Sequence, residues 1–163
     1  MVPAQFVEDL AEELKTILSH MKFEAPISHM KFEAPKMRDA EINIFQYGLP
    51  IEKANGDPVK KFPYVLIELM EGAIPDSVEE QRVNVQLLIG LYDNDDNNHG
   101  KKQVLNVIND ICERFLKNPV LKIYHADEKI TWLLDTEDVH PYHYGAVLME
   151  FYIPSYGREN EHA

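Results

Sequence analysis

The stretch QRVNVQLLIGLY, residues 81–92, places Val83, Val85, Leu87, Ile89 and Leu91 at every second position, with Arg82, Asn84 and Gln86 between them. Side chains alternate across a strand with a period of two, so this run has one face for a core and one that tolerates water. Such a face needs a cover, and the chain supplies two. Residues 2–20 carry Phe6, Val7, Leu10, Leu14, Ile17 and Leu18 at helical spacing, with Pro3 near the start and Glu8, Asp9, Glu12 and Glu13 in the early turns, where the helix dipole favours acids. Residues 100–117 repeat the pattern with Val104, Leu105, Ile108, Ile111, Cys112, Phe115 and Leu116, capped by Asn97 or Asn98 and stopped at Asn118-Pro119.

Five further segments read as strands. Residues 41–47 (EINIFQY) alternate, and residues 62–70 (FPYVLIELM) are apolar enough to predict cover on both faces. Residues 121–125 and 130–134 read as a hairpin turning at 126–129, and residues 144–153 (YGAVLMEFYI) as a long last strand. The links between strands are too short for crossover helices, so most pairing is expected to be antiparallel. The expected fold is α+β: a mostly antiparallel sheet of about four to six strands with two main helices packed on one face. With 163 residues, 45% of them hydrophobic, the chain can build one core, expected over residues 1–154, with 155–163 as a frayed tail.

Charge narrows the partners. Sixteen basic against 28 acidic side chains give a net charge of -12, a field that repels phosphate backbones, so sequence-specific nucleic-acid binding is not expected. The lone Cys112 cannot form an internal disulfide, and no apolar run approaches the roughly 20 residues of a bilayer span. The opening MVPAQFVEDLAEEL is acidic and amphipathic where a secretory leader would be basic and then apolar. The expected setting is a reducing cytoplasm, with no membrane partner.

Searches for chemistry give bland answers. Asp93, Asn94, Asp95, Asp96, Asn97 and Asn98 have the oxygen density of a calcium loop, with ligand positions at Asp93, Asp95 and Asn97. The template then fails, because Asn98 stands where a Gly is needed and Val104 where a bidentate Glu is needed, so a solvated turn capping the second helix is expected. His140 and His143 flank Pro141 and Tyr142 with no cysteine nearby, and read as polar loop tips rather than a zinc pair. Cys112, among Ile108, Ile111 and Phe115, reads as a small hydrophobe, and Trp132 as a core plug. The acids in VEEQ and DTED read as solvated strand ends. The sequence contains no Gly-rich phosphate loop, nucleophile elbow or basic aromatic stripe, so no catalytic residue, cofactor or metal site is expected, and function is expected to come from assembly.

Four segments in order, FPYVLIELMEG, VNVQLLIGLYDND, KKQVLNVINDICERFLKNPVL and HPYHYGAVLMEFYIP, span residues 62–154. Together this stretch resembles the tail terminator, or tail completion, proteins of long-tailed phages and prophages. The strand ending GLYD, the helix ending LKNPVL and the PYHYG before a strand closing on YIP carry the likeness. The resemblance implies a small α+β subunit that forms a ring, commonly a hexamer, on the head-proximal end of the tail tube. Such a ring stops tube growth and presents a surface to the head completion protein, without catalysis. The implied partners are other copies of the chain, the tube protein and the head completion protein; the implied location is the host cytoplasm during assembly and then the virion tail. Loops can reach a neighbour, so 49–61, 71–79 and 93–98 are candidate contacts, with Glu52, Lys53, Lys60, Lys61, Asp76, Glu79, Asp93, Asp95 and Asp96 as candidate residues. Two alternatives stay open: another head-tail joining or minor tail protein, and a small metal-dependent enzyme using His140, His143 and nearby acids.

One feature stands outside this pattern. The octapeptide SHMKFEAP occurs at 19–26 and again at 28–35, separated by Ile27. Pro26 and Pro35 disfavour helix at the residue before them, so the copies read as loop or short extended arms. Two copies are too few for a solenoid. The reading is a tandem duplication in the link between the first helix and first strand, where added length costs little closure entropy. The alternative is an arm carrying Met21, Phe23, Met30 and Phe32 that docks on a neighbour. Deleting residues 19–27 is expected to leave folding and assembly intact.

Overall fold

The computed structural model describes residues 2–26, 37–50, 61–76, 79–95, 97, 99–137 and 139–155. In chain order these form α1 (Val2–Leu18), β1 (Phe23–Ala25), β2 (Met37–Ala40), β3 (Asn43–Gln46), β4 (Tyr64–Ala73) and β5 (Gln81–Tyr92). Then come α2 (His99–Lys117), β6 (Val120–Leu121), β7 (Tyr124–Leu134) and β8 (Tyr142–Ile153). The octapeptide's second copy, the 51–60 loop and the tail from 156 lie outside the described residues.

The alternating strand β5 is the spine of the sheet. It pairs antiparallel with β8 along its whole length, from Gln81↔Ile153 to Tyr92↔Tyr142, and with β4 on its other side. β7 continues the sheet beyond β8, β6 flanks the start of β7, and β1 with β2 joins the end of β5 at Glu24↔Tyr92. β3 pairs parallel with β4, so the sheet is mixed. The expected class therefore holds, α+β with both helices against one face; the extra strands are β1, β2 and β6, each of four residues or fewer.

Periodicity decides what each face buries. Val83, Val85, Leu87, Ile89 and Leu91 share a core with Val147, Met149, Phe151 and Ile153 of β8, and α1 and α2 lay Phe6, Leu10, Leu14, Val104, Ile108 and Ile111 over them. At its centre Phe151 meets Phe6 at 4.9 Å between ring centroids and Phe115 at 5.4 Å, while Phe6 meets Tyr124 edge-on at 5.1 Å. The helix-free face carries a second, aromatic cluster of Phe62, Tyr64 and Leu66 with Phe45, Tyr92, Tyr142 and Tyr144 against them. Its ring at Tyr64 lies across Gly90, its cross-strand partner, in space that a β-carbon would occupy.

Three local expectations are corrected. First, residues 126–129 are no hairpin turn: β7 runs unbroken from Tyr124 to Leu134, and its register against β8 jumps from Ala126↔Phe151 to Ile130↔Met149. The polar run is a bulge, because β8 continues opposite it and keeps both flanks paired. The turn falls earlier, at Lys122 and Ile123 between β6 and β7, with Lys122 in the left-handed region at φ 52°. Second, Trp132 is no core plug. It lies opposite Val147 on the helix side of the sheet, yet beyond the cover of α2, and is 51% exposed. Third, β4 is covered on both faces only over Tyr64–Ile67, and Met70–Ala73 is exposed. The first octapeptide copy does form a short extended arm, β1, with Phe23 in the core.

Candidate functional site

Among the described residues, buried carboxylates gather polar chemistry at Asp9 and at Asp93, and both clusters hold the fold together. Asp9 of α1 is buried, and its carboxylate accepts hydrogen bonds from Lys122 Nζ (2.8 Å), Tyr124 OH (2.9 Å) and Gln5 Nε2 (3.2 Å). Burial pushes the Asp9 carboxyl upward, but the bonds from Lys122, Tyr124 and Gln5 outweigh it and hold the group below the usual range. Burial, with help from the Asp9 carboxylate, pushes the Tyr124 phenol up to about 12. This cluster pins the first helix to the β6–β7 turn, where Lys122 takes its left-handed conformation.

The second cluster sits where β5 gives way to α2. Asp93 is buried; its Oδ1 accepts the Asp95 N–H (2.9 Å) and its Oδ2 accepts from His99 Nδ1 (2.7 Å). Asp95 in turn accepts the Asn97 N–H at 2.9 Å. Buried His143 donates through Nε2 to the Asp93 carbonyl at 3.3 Å, and its ring fills the space beside Gly100. The acidic turn thus spends its oxygens on backbone and imidazole donors; the expected solvated turn is corrected at Asp93, which is buried, and the expected cap Asn98 lies outside the described residues. Among the described residues, no three or more His, Cys, Asp or Glu side chains stand where they could hold a metal ion. Replacing Gly100 by Ala should lower the thermal midpoint: the new methyl overlaps a buried ring, an overpacking cost of about 1–3 kcal/mol that exceeds the roughly 1 kcal/mol gained in helix propensity. A melt at or above that of the parent would show that His143 yields freely.

The feature without a structural duty is the outer edge of the sheet. β6 covers only Tyr124 and His125, so from Ala126 to Leu134 the outer side of β7 has no strand partner among the described residues. Beside it runs an open groove of about 610 Å³ between α2 and β7, lined by Leu105, Ile108, Cys112, Leu116, Ile130 and Trp132. Leu116 is 60% exposed and Leu133, on the opposite face of the same edge, 54%. The charged bulge at 127–129 guards the first part of this edge; past it, Ile130–Leu134 is an apolar edge beside a largely apolar groove, the pattern of a contact surface. The other end of the sheet is also open: β3 covers β4 only over Tyr64–Ile67, and among the described residues Glu68–Ala73 has no strand partner on that side, near exposed Met70 and Ile74.

The sequence-derived contact residues fall elsewhere. Lys61 precedes β4, its ammonium 5.7 Å from the Phe62 ring centroid and its carbonyl accepting from Asn43. Asp76 accepts the Glu79 N–H at 2.7 Å, closing the β4–β5 turn, and both are exposed. Lys61 and the Asp93 turn therefore share one end of the sheet, and Asp76 with Glu79 the other. Asp93 itself is turned inward, Asp95 is exposed, and Glu52, Lys53, Lys60 and Asp96 lie outside the described residues. Sequence reasoning did not single out Leu105, Leu116, Trp132 and Leu133 as surface. One signal was available: the apolar stripe of α2 spans Leu105, Cys112 and Leu116 as well as Val104, Ile108, Ile111 and Phe115, wider than one covered face requires.

No protein-family model matches this chain, and no curated protein matches it.

Proposed function

We propose that this protein is a ring-forming structural subunit of the tail-terminator kind, closing the head-proximal end of a phage tail tube and offering its other side to a head completion protein. The observation that carries the reading is the pair of open sheet edges, β7 at one end and β4 at the other. Successive antiparallel pairing through β5 and β8 makes β4 and β7 run in opposite senses. A neighbour docked head to tail, β7 against β4, would therefore extend the sheet without breaking its alternation. Head-to-tail contacts of this kind close into rings when the rotation permits. The turns around Lys61 and Asp93 would then lie on one rim, and that around Asp76 and Glu79 on the other, where tube and head partners bind. The family-like order of segments over residues 62–154 supports the same reading. Catalysis has no part in it.

The test is mass and shape: light scattering and negative-stain images should give a closed ring that binds the tips of tube-protein polymers. A protein that stays monomeric when concentrated and ignores tube tips would end the proposal. Within the ring, the double variant W132K/L133K should abolish the oligomer while leaving the melting temperature within a few degrees, since both side chains are about half exposed.

A further inference from the structure

We infer that Trp132 of one copy lies across Gly72 of the next, an inference that rests on the head-to-tail ring proposed above and fixes its register. The two residues sit on the two open edges, and the subunit itself requires neither. A β-carbon at Gly72 would meet only the Arg82 carbonyl at 3.6 Å and a Val83 methyl at 3.7 Å, ordinary contacts, and its φ lies outside the left-handed region. Glycine inside a strand weakens it and marks the close approach of another group. Trp132 is its complement, the chain's single tryptophan, left half exposed on β7.

Face and hydrogen-bonding phase both match. Gly72 pairs with Val83 and Trp132 with Val147, both core residues, so the two positions share the helix side of the sheet. The Asp135 N–H donates to the Tyr144 carbonyl (3.0 Å), so odd positions of β7 turn toward β8, and Ile130, Trp132 and Leu134 turn their main-chain groups outward. On β4 the Ile67 carbonyl accepts the Tyr47 N–H (2.9 Å), which sets Ile67 in the outward phase. The extra residue in the bulge between Leu69 and Glu71 moves that phase to even positions, so Gly72 turns outward too. Trp132 and Gly72 can therefore exchange both main-chain hydrogen bonds. The same register sets Ile130 against Ile74, and Leu134 stops short of Ile67, where β3 occupies the edge. Trp132, Leu133, Met70 and Ile74, each more than half exposed in the subunit, leave water together. The fold already contains the motif, with the Tyr64 ring across its cross-strand partner Gly90.

The experiment uses the full chain. As its only tryptophan, Trp132 reports directly: when concentration is raised through assembly, its emission should shift to the blue and acrylamide quenching should fall. Gly72→Val fills the space the indole needs and should weaken assembly about thirtyfold or more, the scale of a lost hot spot, while the monomer melts within a few degrees of the parent. Register is read by oxidation in a Cys112→Ala background, at concentrations that restore the ring. Trp132→Cys with Gly72→Cys brings α-carbons to about 5.5 Å in a hydrogen-bonded pair and should link copies covalently, whereas Met70→Cys or Ile74→Cys in place of Gly72→Cys should not. A ring that forms with unchanged emission, that tolerates Gly72→Val, or that fails to cross-link at 72 overturns this inference and leaves the ring itself standing. A chain that stays monomeric at every concentration overturns both.

Discussion

Replacing Phe151 by alanine is expected to remove about 3–5 kcal/mol of stability, the range for emptying a buried aromatic site. Phe151 is fully buried on β8, and it is the ring on which both helices converge, through Phe6 of α1 and Phe115 of α2. Neither helix can settle to fill the void without losing its seat on the other strands, so relaxation should be slight and the cost near the top of the range. For a chain of this length that corresponds to a fall in melting temperature of roughly 6–20 °C. Leu148→Ala, three residues earlier on the helix-free face and only partly buried, is the control and should cost much less. Equal losses at the two sites would mean that the core is not centred where the rings place it.

The second large effect is expected at Asp9. Asp9→Ala leaves the buried Tyr124 hydroxyl without its acceptor and should cost about 2–3 kcal/mol at neutral pH. Most of this belongs to the phenol, since Lys122 is about half exposed and water screens its ion pair. The carboxyl has a lower pKa folded than its ordinary 3.8, so its contribution is complete above about pH 4 and disappears as the pH falls through the folded value. Tyr124 behaves in the opposite sense: its pKa is raised to about 12, so its contribution is complete below about pH 10 and fades as the pH climbs toward 12. Urea midpoints followed across pH should therefore fall at both extremes for the parent. Asp9→Asn should flatten the acid limb and Tyr124→Phe the alkaline one; limbs that persist unchanged in these variants would assign the titrations to other groups.

What the sequence disclosed and what it withheld separate along a physical line. Residues 81–92 declared a strand, and 2–20 and 100–117 declared helices, because period and apolar content are local properties. The Ala-Asp-Glu-Lys run at 126–129 looked like a turn for equally local reasons, and only the unbroken strand opposite makes it a bulge. Asp9 looked like one more acid in an early helical turn; it is buried because Lys122 and Tyr124 return to it from more than a hundred residues away. The contact surface was the least legible. Periodicity reports which side of Trp132 or Leu116 is apolar, but whether that side is covered depends on which strand ends the sheet. Polar loops drew attention instead, and the one acid among them that matters most to the fold, Asp93, faces inward.

The seating of α1 has a consequence for biosynthesis. Its floor includes Tyr124 and Phe151, which are contributed by the last two strands. A nascent chain emerging from the ribosome makes this helix first and its floor last, an interval on the order of ten seconds at ordinary elongation speed. Until then α1 can rest only on the parts of its seat made earlier, such as β3 and α2, while Phe6 still lacks the two rings that close over it, which makes this helix a natural client for a chaperone until translation is nearly done.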